Sequence, residues 1–283
     1  MKVFLVLSIY KKYLRQDSYF LSMSNYITYK NCKVHFTSTG KGATIVLLHG
    51  FLENNSMWDS IAPELSKKNR VITIDLLGHG KTGCLGYLHT MEEQANTVKE
   101  VLRSLNLRKY ILVGHSMGGY ISLAFAQLFP EAIKGLCLIN STFENDSEER
   151  KKLRARAVRM AHTDYENLVR MSFTNLFAEE SRLNYTSEIK KGLTEAFKTP
   201  LQGYIASQEG MTLRKDFSDL FKNARFKKLL ILGKKDTVVD YESTIKFAKK
   251  NNIPTIGLSE GHMSHIENSV DLLDALKKFI PKF

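Results

Sequence analysis

The stretch LVGHSMGGY, Leu112 to Tyr120, sets Ser116 midway between Gly114 and Gly118. A serine hydroxyl is a weak nucleophile until a base takes its proton and a carboxylate orients that base. The G-x-S-x-G spacing suits such a serine. On a tight strand-to-helix turn the nucleophile sits in strained backbone, and Cβ atoms two residues to either side would clash. Partners on a parallel sheet are expected after the ends of later strands. Asp236 closes KLLILGKKD, and His262 follows IPTIGLS in the loop SEGHMSH. The chemistry these residues can do is acyl transfer. Ser116 attacks a carbonyl, His262 takes the proton and returns it to the leaving group, and Asp236 stabilises the imidazolium. Water then releases the acyl group, with no cofactor and no metal required.

Elements must bring these residues together. From residue 33 onward, short apolar runs alternate with longer amphipathic ones, the pattern of βαβ units and a mostly parallel sheet flanked by helices. Strands are expected at 33–39, 43–50, 70–76, 110–116, 135–141, 228–236 and 253–259. ATIVLLHG and YILVGHS are continuously apolar, as strands buried on both faces should be. Thr90 and Glu93 form a capping box before a helix whose apolar face is Met91, Ala95, Val98, Val101, Leu102 and Leu105. Ile121, Ala124, Phe125 and Leu128 repeat the pattern after Ser116, with Pro130 marking the end. At the C-terminus the predicted face is Val270, Leu273, Leu276, Lys277 and Ile280.

One interval breaks the alternation. Residues 142–227 are too many for a simple crossover and are rich in charge, Met and Phe, with helical segments SEERKKLRARAVRMA and TDYENLVRMSFTNLFA. They read as an inserted helical cap, including its connection back to the core. The α/β core is then 23–141 with 228–283. Residues 1–22 are an N-terminal extension: a start at Met23 and a signal peptide are both open, since MKVFLVLSIY is followed by KKYLRQD without a clear cleavage site.

Composition bounds the function. The 283 residues are 43% hydrophobic, enough for one large domain, which excludes disordered and collagen-like classes. The net charge of +12, from 41 Lys+Arg against 29 Asp+Glu, favours anionic surfaces, but no nucleic-acid motif accompanies it and no nucleic-acid partner is expected. Cys32, Cys84 and Cys137 form no CxxC and no His/Cys ligand pattern, which points to a reducing, cytoplasmic setting. No stretch reaches the roughly 18 apolar residues of a membrane span.

From about residue 25 onward the chain resembles an α/β-hydrolase, a serine-esterase-like member bearing a cap. LLHGF (47–51), DLLGHGKT (75–82), VGHSMGG (113–119), and LGKKD with EGHMSHIEN (260–268) carry the resemblance in order. It implies an oxyanion hole of two backbone N–H groups, from Met117 after the nucleophile and from Phe51 in the HGF loop. His49 is expected to brace that loop. Asp240 rivals Asp236 but reads better as a helix N-cap. His265 rivals His262, and the family's Gly-His pair favours Gly261-His262. His115 should point away from Ser116, while His35, His89 and His162 are expected to be surface or packing residues.

Substrate choice lies in the cap. Met160, Met171, Phe173, Leu176 and Phe177 are candidates for an apolar acyl pocket, although helical spacing also fits packing of cap onto sheet. The run Arg150, Lys151, Lys152, Arg154, Arg156 and Arg159 reads as a solvated helix face. A serine at the elbow argues against dehalogenase and epoxide-hydrolase chemistry. The related menaquinone-pathway synthase usually carries Gly-Gly-Arg where this chain has Gly118-Gly119-Tyr120. Carbon–carbon bond hydrolysis and a ligand-binding signalling role on the same scaffold stay open. DLLGHGKT is not a phosphate loop: position 75 is Asp, where G-x-x-x-x-G-K-[ST] needs glycine. It is expected to be a structural loop with Lys81 solvated.

Overall fold

A computed structural model of the protein describes residues 23–280, so the expectations for residues 1–22 lie outside the described residues. The strands are β1 (Met23–Tyr29), β2 (Cys32–Thr39), β3 (Thr44–Leu48), β4 (Arg70–Ile74), β5 (Tyr110–His115), β6 (Ile133–Ile139), β7 (Lys227–Gly233) and β8 (Thr255–Leu258). The helices are α1 (Ala62–Ser66), α2 (Met91–Ser104), α3 (Met117–Leu128), α4 (Glu148–Ala161), α5 (Tyr165–Thr174), α6 (Ser181–Asn184), α7 (Thr186–Ala196), α8 (Leu201–Thr212), α9 (Ser218–Asn223), α10 (Tyr241–Lys250), α11 (Ser264–Glu267) and α12 (Ser269–Phe279). The sheet order is β1-β2-β4-β3-β5-β6-β7-β8. Pairing is antiparallel where β2 meets β1 and β4, and parallel from β4 to β8.

The seven expected strands form, and β1 is an eighth that the apolar-run criterion passed over. Its side chains alternate between half-buried Asn25, Ile27 and Tyr29 and exposed Tyr26 and Thr28, so it has a period of two but no apolar run. The central strands are buried on both faces. Val46 and Leu48 of β3 pack with α2 and α3, while Ile45 and Leu47 pack with Trp58 and α12. Leu112 of β5 is fully buried; its truncation to alanine should cost about 2–5 kcal/mol.

Helix ends follow local chemistry with three corrections. Thr90 Oγ1 accepts the Glu93 N–H at 3.1 Å, capping α2. The Glu93 carboxylate, instead of turning back to Thr90, binds Lys30 Nζ at 2.9 Å and ties α2 to the β1–β2 turn. In α12 the buried face is Leu272, Ala275, Leu276 and Phe279, while Val270 is 72% exposed. The predicted face was thus rotated: Val270, two residues from fully buried Leu272, lies on the opposite side of the helix. Leu128 likewise ends α3 in solvent.

Between β6 and β7 the chain leaves the sheet and forms α4 to α9. Phe173, Phe177, Ile189, Tyr204 and Ala161 from this excursion form one apolar cluster with Leu52 and Met263, which belong to the loops after β3 and β8. Two ionic links brace this excursion from within. Asp146, after β6, binds Arg154 of α4 at 2.5 Å and Arg214 after α8 at 2.5 Å. Of the basic run on α4, Arg154 is therefore mostly buried, and Arg150 donates to the Val238 carbonyl. Lys152, Arg156 and Arg159 are exposed.

Candidate active site

Ser116 stands between the end of β5 and the start of α3 with φ +49° and ψ −116°. A non-glycine residue held there stores on the order of 1–3 kcal/mol of strain. Neighbours hold the turn: the Ser116 N–H donates to the Ile139 carbonyl at 2.9 Å, and the Ser116 carbonyl accepts Ser141 Oγ at 2.8 Å. The flanking glycines are sterically required. A Cβ on Gly114 would meet the Gly118 carbonyl oxygen at 2.3 Å, and one on Gly118 would meet the Leu48 carbonyl oxygen at 2.3 Å. Ser116 keeps partial exposure, and α3 directs the positive end of its dipole at the same point.

Asp236 follows β7 and is surrounded by donors. Its Oδ1 accepts the N–H groups of Val238 at 2.7 Å and Val239 at 3.0 Å. Its Oδ2 accepts Asn140 Nδ2 at 2.9 Å and His262 Nδ1 at 2.8 Å. Burial opposes ionisation, but His262 and these hydrogen bonds outweigh it and hold the carboxyl below its usual range. With Nδ1–H donating to the carboxylate, neutral His262 has its free lone pair at Nε2, the arrangement a general base requires.

A second buried acid–imidazole pair ties the loops together. His115 Nδ1 donates to Glu53 Oε2 at 2.8 Å, and His115 Nε2 donates to the His262 carbonyl at 2.9 Å. Both His115 nitrogens face acceptors, so the ring is an imidazolium. Burial disfavours that charge, but Glu53 overrides it and raises the histidine pKa. Burial would likewise raise Glu53, yet the neighbouring imidazoles bring it down to about 2. The same Glu53 oxygen accepts the Gly50 N–H at 2.8 Å. Glu53 thus links the HGF loop to the residue preceding Ser116, and His115 links that residue to the His262 loop.

The HGF loop is fixed from within. His49 Nδ1 donates to the Gly50 carbonyl at 2.8 Å, and His49 Nε2 accepts the Leu76 N–H at 2.9 Å. The imidazole is therefore neutral, as its full burial also dictates. Leu52 takes φ +61°, a left-handed turn that sharpens the loop. Among the described residues, no turn or cap hydrogen bond consumes the N–H of Phe51 or Met117.

The rival residues fall elsewhere. Asp240 caps α10, its Oδ1 accepting the Ser243 N–H at 3.2 Å. His265 is buried 3.6 Å from Glu53 Oε1 with no partner on Nδ1. His35 binds Asp75 at 2.8 Å inside the DLLGHGKT loop, where Asp75 also accepts the N–H groups of Asn55 and Lys81. Lys81 itself is exposed. His89 is buried and accepts the Leu85 N–H at 3.0 Å, while His162 is exposed. Glu53 and Asn140 were not singled out from sequence. Both act through partners far away in the chain, and Asn140 carries a local mark in its φ of +45°.

The pocket candidates divide. Phe173 and Phe177 are buried beside Leu52 and Met263, and Met160 and Leu176 pack partly buried against them. Met171 is 50% exposed and lies outside the apolar cluster that Phe173 and Phe177 share. Phe173 also lines a cavity of about 570 Å³ between the loop after β3, α7 and α11. Among the described residues, no helix is long and apolar enough to cross a membrane.

Comparisons with known proteins agree with this architecture. The chain is 25% identical over 245 residues to (E)-2-((N-methylformamido)methylene)succinate hydrolase of Acinetobacter baylyi, covering 83% of this chain and 89% of that protein. It matches an esterase structure from Thermogutta terrifontis with TM-score 0.84 and 27% identity, covering 91% and 98% of the two chains. An enol-lactonase from Burkholderia xenovorans shares the fold, with TM-score 0.82, 21% identity, and 90% and 99% coverage. Other curated relatives, such as an uncharacterised Mycobacterium tuberculosis protein 32% identical over 106 residues, are matched over 38% of this chain and only 31% of their own length. The family profile for the alpha/beta hydrolase fold matches residues 43–269. With that match spanning most of the chain, over a sheet of the same architecture, the protein belongs to the α/β-hydrolase fold family.

Proposed function

We propose that the protein is a serine hydrolase acting on a carboxylic ester or related acyl substrate. Ser116 is the nucleophile, His262 the general base and then acid, and Asp236 the group that orients and stabilises the imidazolium. The N–H groups of Phe51 and Met117 receive the developing oxyanion, a contribution of several kcal/mol to the barrier in such sites. The observation that carries this reading is the 2.8 Å His262–Asp236 contact, with the His262 carbonyl held by His115, the residue that precedes the strained Ser116. In this reading α4 to α9 form a cap over the site, and Phe173, Phe177 and Met160 face the acyl chain.

The esterase and hydrolase names of the relatives support the general class. A synthase reading loses support at Tyr120. The one guanidinium stacked on that ring, Arg214 at 4.1 Å, is already bonded to Asp146 and to the Glu144 carbonyl. The test is a panel of p-nitrophenyl esters from acetate to decanoate with wild type and Ser116→Ala. Sustained multiple turnover by wild type, lost in the variant, is expected; a variant that keeps wild-type turnover removes Ser116 from the mechanism. A single labelling event without turnover would instead favour the ligand-binding role.

A further inference from the structure

Every backbone polar group from the Gly261 carbonyl to the Met263 carbonyl has a partner outside β8. The Gly261 carbonyl accepts Asn140 Nδ2 at 3.2 Å, and the His262 carbonyl accepts His115 Nε2 at 2.9 Å. The His262 N–H donates to the Leu176 carbonyl at 3.2 Å. The Met263 N–H donates to Glu267 Oε2 at 2.9 Å, and the Met263 carbonyl accepts the N–H groups of Ile266 at 2.8 Å and Glu267 at 2.9 Å. Buried backbone groups must be paired somewhere, so these partners decide where His262 stands. One of them, Leu176, belongs to the excursion between β6 and β7, just after α5. The same segment reaches the neighbour of Asp236, since Thr237 Oγ1 donates to the Asn175 carbonyl at 2.9 Å.

Glu267 joins the two sides. While its Oε2 holds Met263, its Oε1 accepts the Ala178 N–H of the excursion at 3.1 Å. Tyr185 Oη, also from the excursion, donates to the Glu267 carbonyl at 3.2 Å. The side chain is buried, at 5% exposure, so water cannot readily replace these bonds. A carboxylate accepts at both ends, whereas an amide would turn its NH₂ toward one of the two N–H groups. Gly261 permits the close approach: a Cβ there would meet Ala178 N at 2.7 Å and both Glu267 carboxylate oxygens at 3.0 Å.

We propose that Glu267 is a positioning residue for His262, bridging Met263 and Ala178 so that the seating of the 175–178 segment sets where the imidazole stands. The proposal rests on the serine-hydrolase reading, in which His262 takes the proton of Ser116 and returns it to the leaving group. Misplacing such a group by an ångström can cost on the order of 10²-fold in rate. The loss should depend on the leaving group. An alkoxide must receive its proton from His262, whereas p-nitrophenolate departs without one.

The experiment compares full-length wild type, Ser116→Ala, Glu267→Gln and Glu267→Asp. Rates on p-nitrophenyl butyrate and ethyl butyrate are measured at pH 7.5, together with amide hydrogen exchange at Ala178 and Met263 by NMR. In Glu267→Gln at least one of these two amides should exchange at least about tenfold faster, with the amides of β5 unchanged. Its kcat/KM should fall about tenfold more on ethyl butyrate than on p-nitrophenyl butyrate. Glu267→Asp keeps the charge but is one methylene too short to bridge both N–H groups, so it should show the same pattern. It also decides the matter if Glu267→Gln does not fold. Equal losses on the two esters, unchanged exchange at both amides, or wild-type behaviour of Glu267→Asp overturns the proposal. Turnover kept by Ser116→Ala removes the serine-hydrolase reading and this inference with it, whereas turnover lost there and equal ester losses in the Glu267 variants overturn this inference alone.

Discussion

Glu53 Oε2 lies 2.8 Å from His115 Nδ1, and both side chains are almost completely buried. This contact is the cross-brace between the HGF loop and the turn that carries Ser116. Because His115 also donates to the His262 carbonyl, the carboxylate faces an imidazolium instead of a neutral ring. Glu53→Gln removes the compensating charge and leaves a buried cation, a change that typically costs about 3–5 kcal/mol. Urea unfolding of the single variants and of Glu53→Gln combined with His115→Gln checks this. The double variant should lose clearly less than the sum of the singles, with a coupling of at least about 1 kcal/mol. Strictly additive losses would show that the two groups are not paired.

Asp236 is the second prediction. Four donors converge on its carboxylate, and an amide in its place can neither accept them all nor hold His262 with Nε2 bare. Asp236→Asn should therefore lower ester kcat by about 10⁴-fold, as loss of the orienting acid does in triads of this type. KM should move little, since the group lies behind the imidazole. Steady-state kinetics on a short-chain ester decide the matter, and a variant within tenfold of wild type takes Asp236 out of the mechanism.

What the sequence disclosed, and what it hid, follows from the range of the interactions. The parallel strands were readable because burial on both faces writes a continuous apolar run, as in β3 and β5. β1 was not, because an antiparallel edge strand is half exposed and alternates. Ser116, Asp236 and His262 were readable as candidates because they follow the ends of parallel strands, Ser116 between Gly114 and Gly118 and His262 next to Gly261. Glu53 was invisible: its partner His115 is 62 positions away and no local pattern announces the contact. Met171 and Phe173 show the same limit within one helix. Two residues apart, they are 50% and 2% exposed, and apolar character alone does not say which face meets the neighbouring loops. The buried face of α12 was misjudged for a related reason, since Val270 lies on the side of the helix opposite Leu272.

Asp146 offers a stability test remote from the proposed chemistry. It is buried between Arg154 and Arg214, and both guanidiniums depend on it for their charge partner. Burial disfavours its ionisation, but the two arginines prevail and hold the carboxyl below its usual range. Asp146→Asn keeps the volume and removes the charge, so it should destabilise the protein by about 3–5 kcal/mol. Replacing an exposed member of the basic run, as in Arg156→Gln, should change stability by less than about 0.5 kcal/mol. Paired urea titrations compare the two, and similar midpoints for both variants would refute the network's role in anchoring α4 and the segment after α8.

Acid should unfold the protein earlier than its carboxylates alone would dictate. Four buried histidines are held neutral chiefly by burial: His79 is brought down to about 3, His89 and His265 to about 4, and His49 is lowered as well. In the unfolded chain each titrates near 6.5. Below that pH the unfolded state binds protons that the folded state refuses, so the stability these groups allow is complete above about 6.5 and is lost as pH falls toward 4. Each contributes a slope of up to about 1.4 kcal/mol per pH unit. Glu53, at about 2 when folded, adds loss of the same sign only below about 4.5. His115 has the opposite sign: its raised pKa contributes stability below about 6.5 that disappears as pH rises through the folded value, so it limits the alkaline side. Urea midpoints measured from pH 8 to pH 4.5 should therefore begin to fall just below pH 6.5, before any ordinary carboxylate titrates. His265→Phe removes one of the four histidines and should reduce that slope by about a quarter. A midpoint that stays level from pH 7 to pH 5, or a slope unaltered by His265→Phe, would mean that these imidazoles take up protons in the folded state without cost.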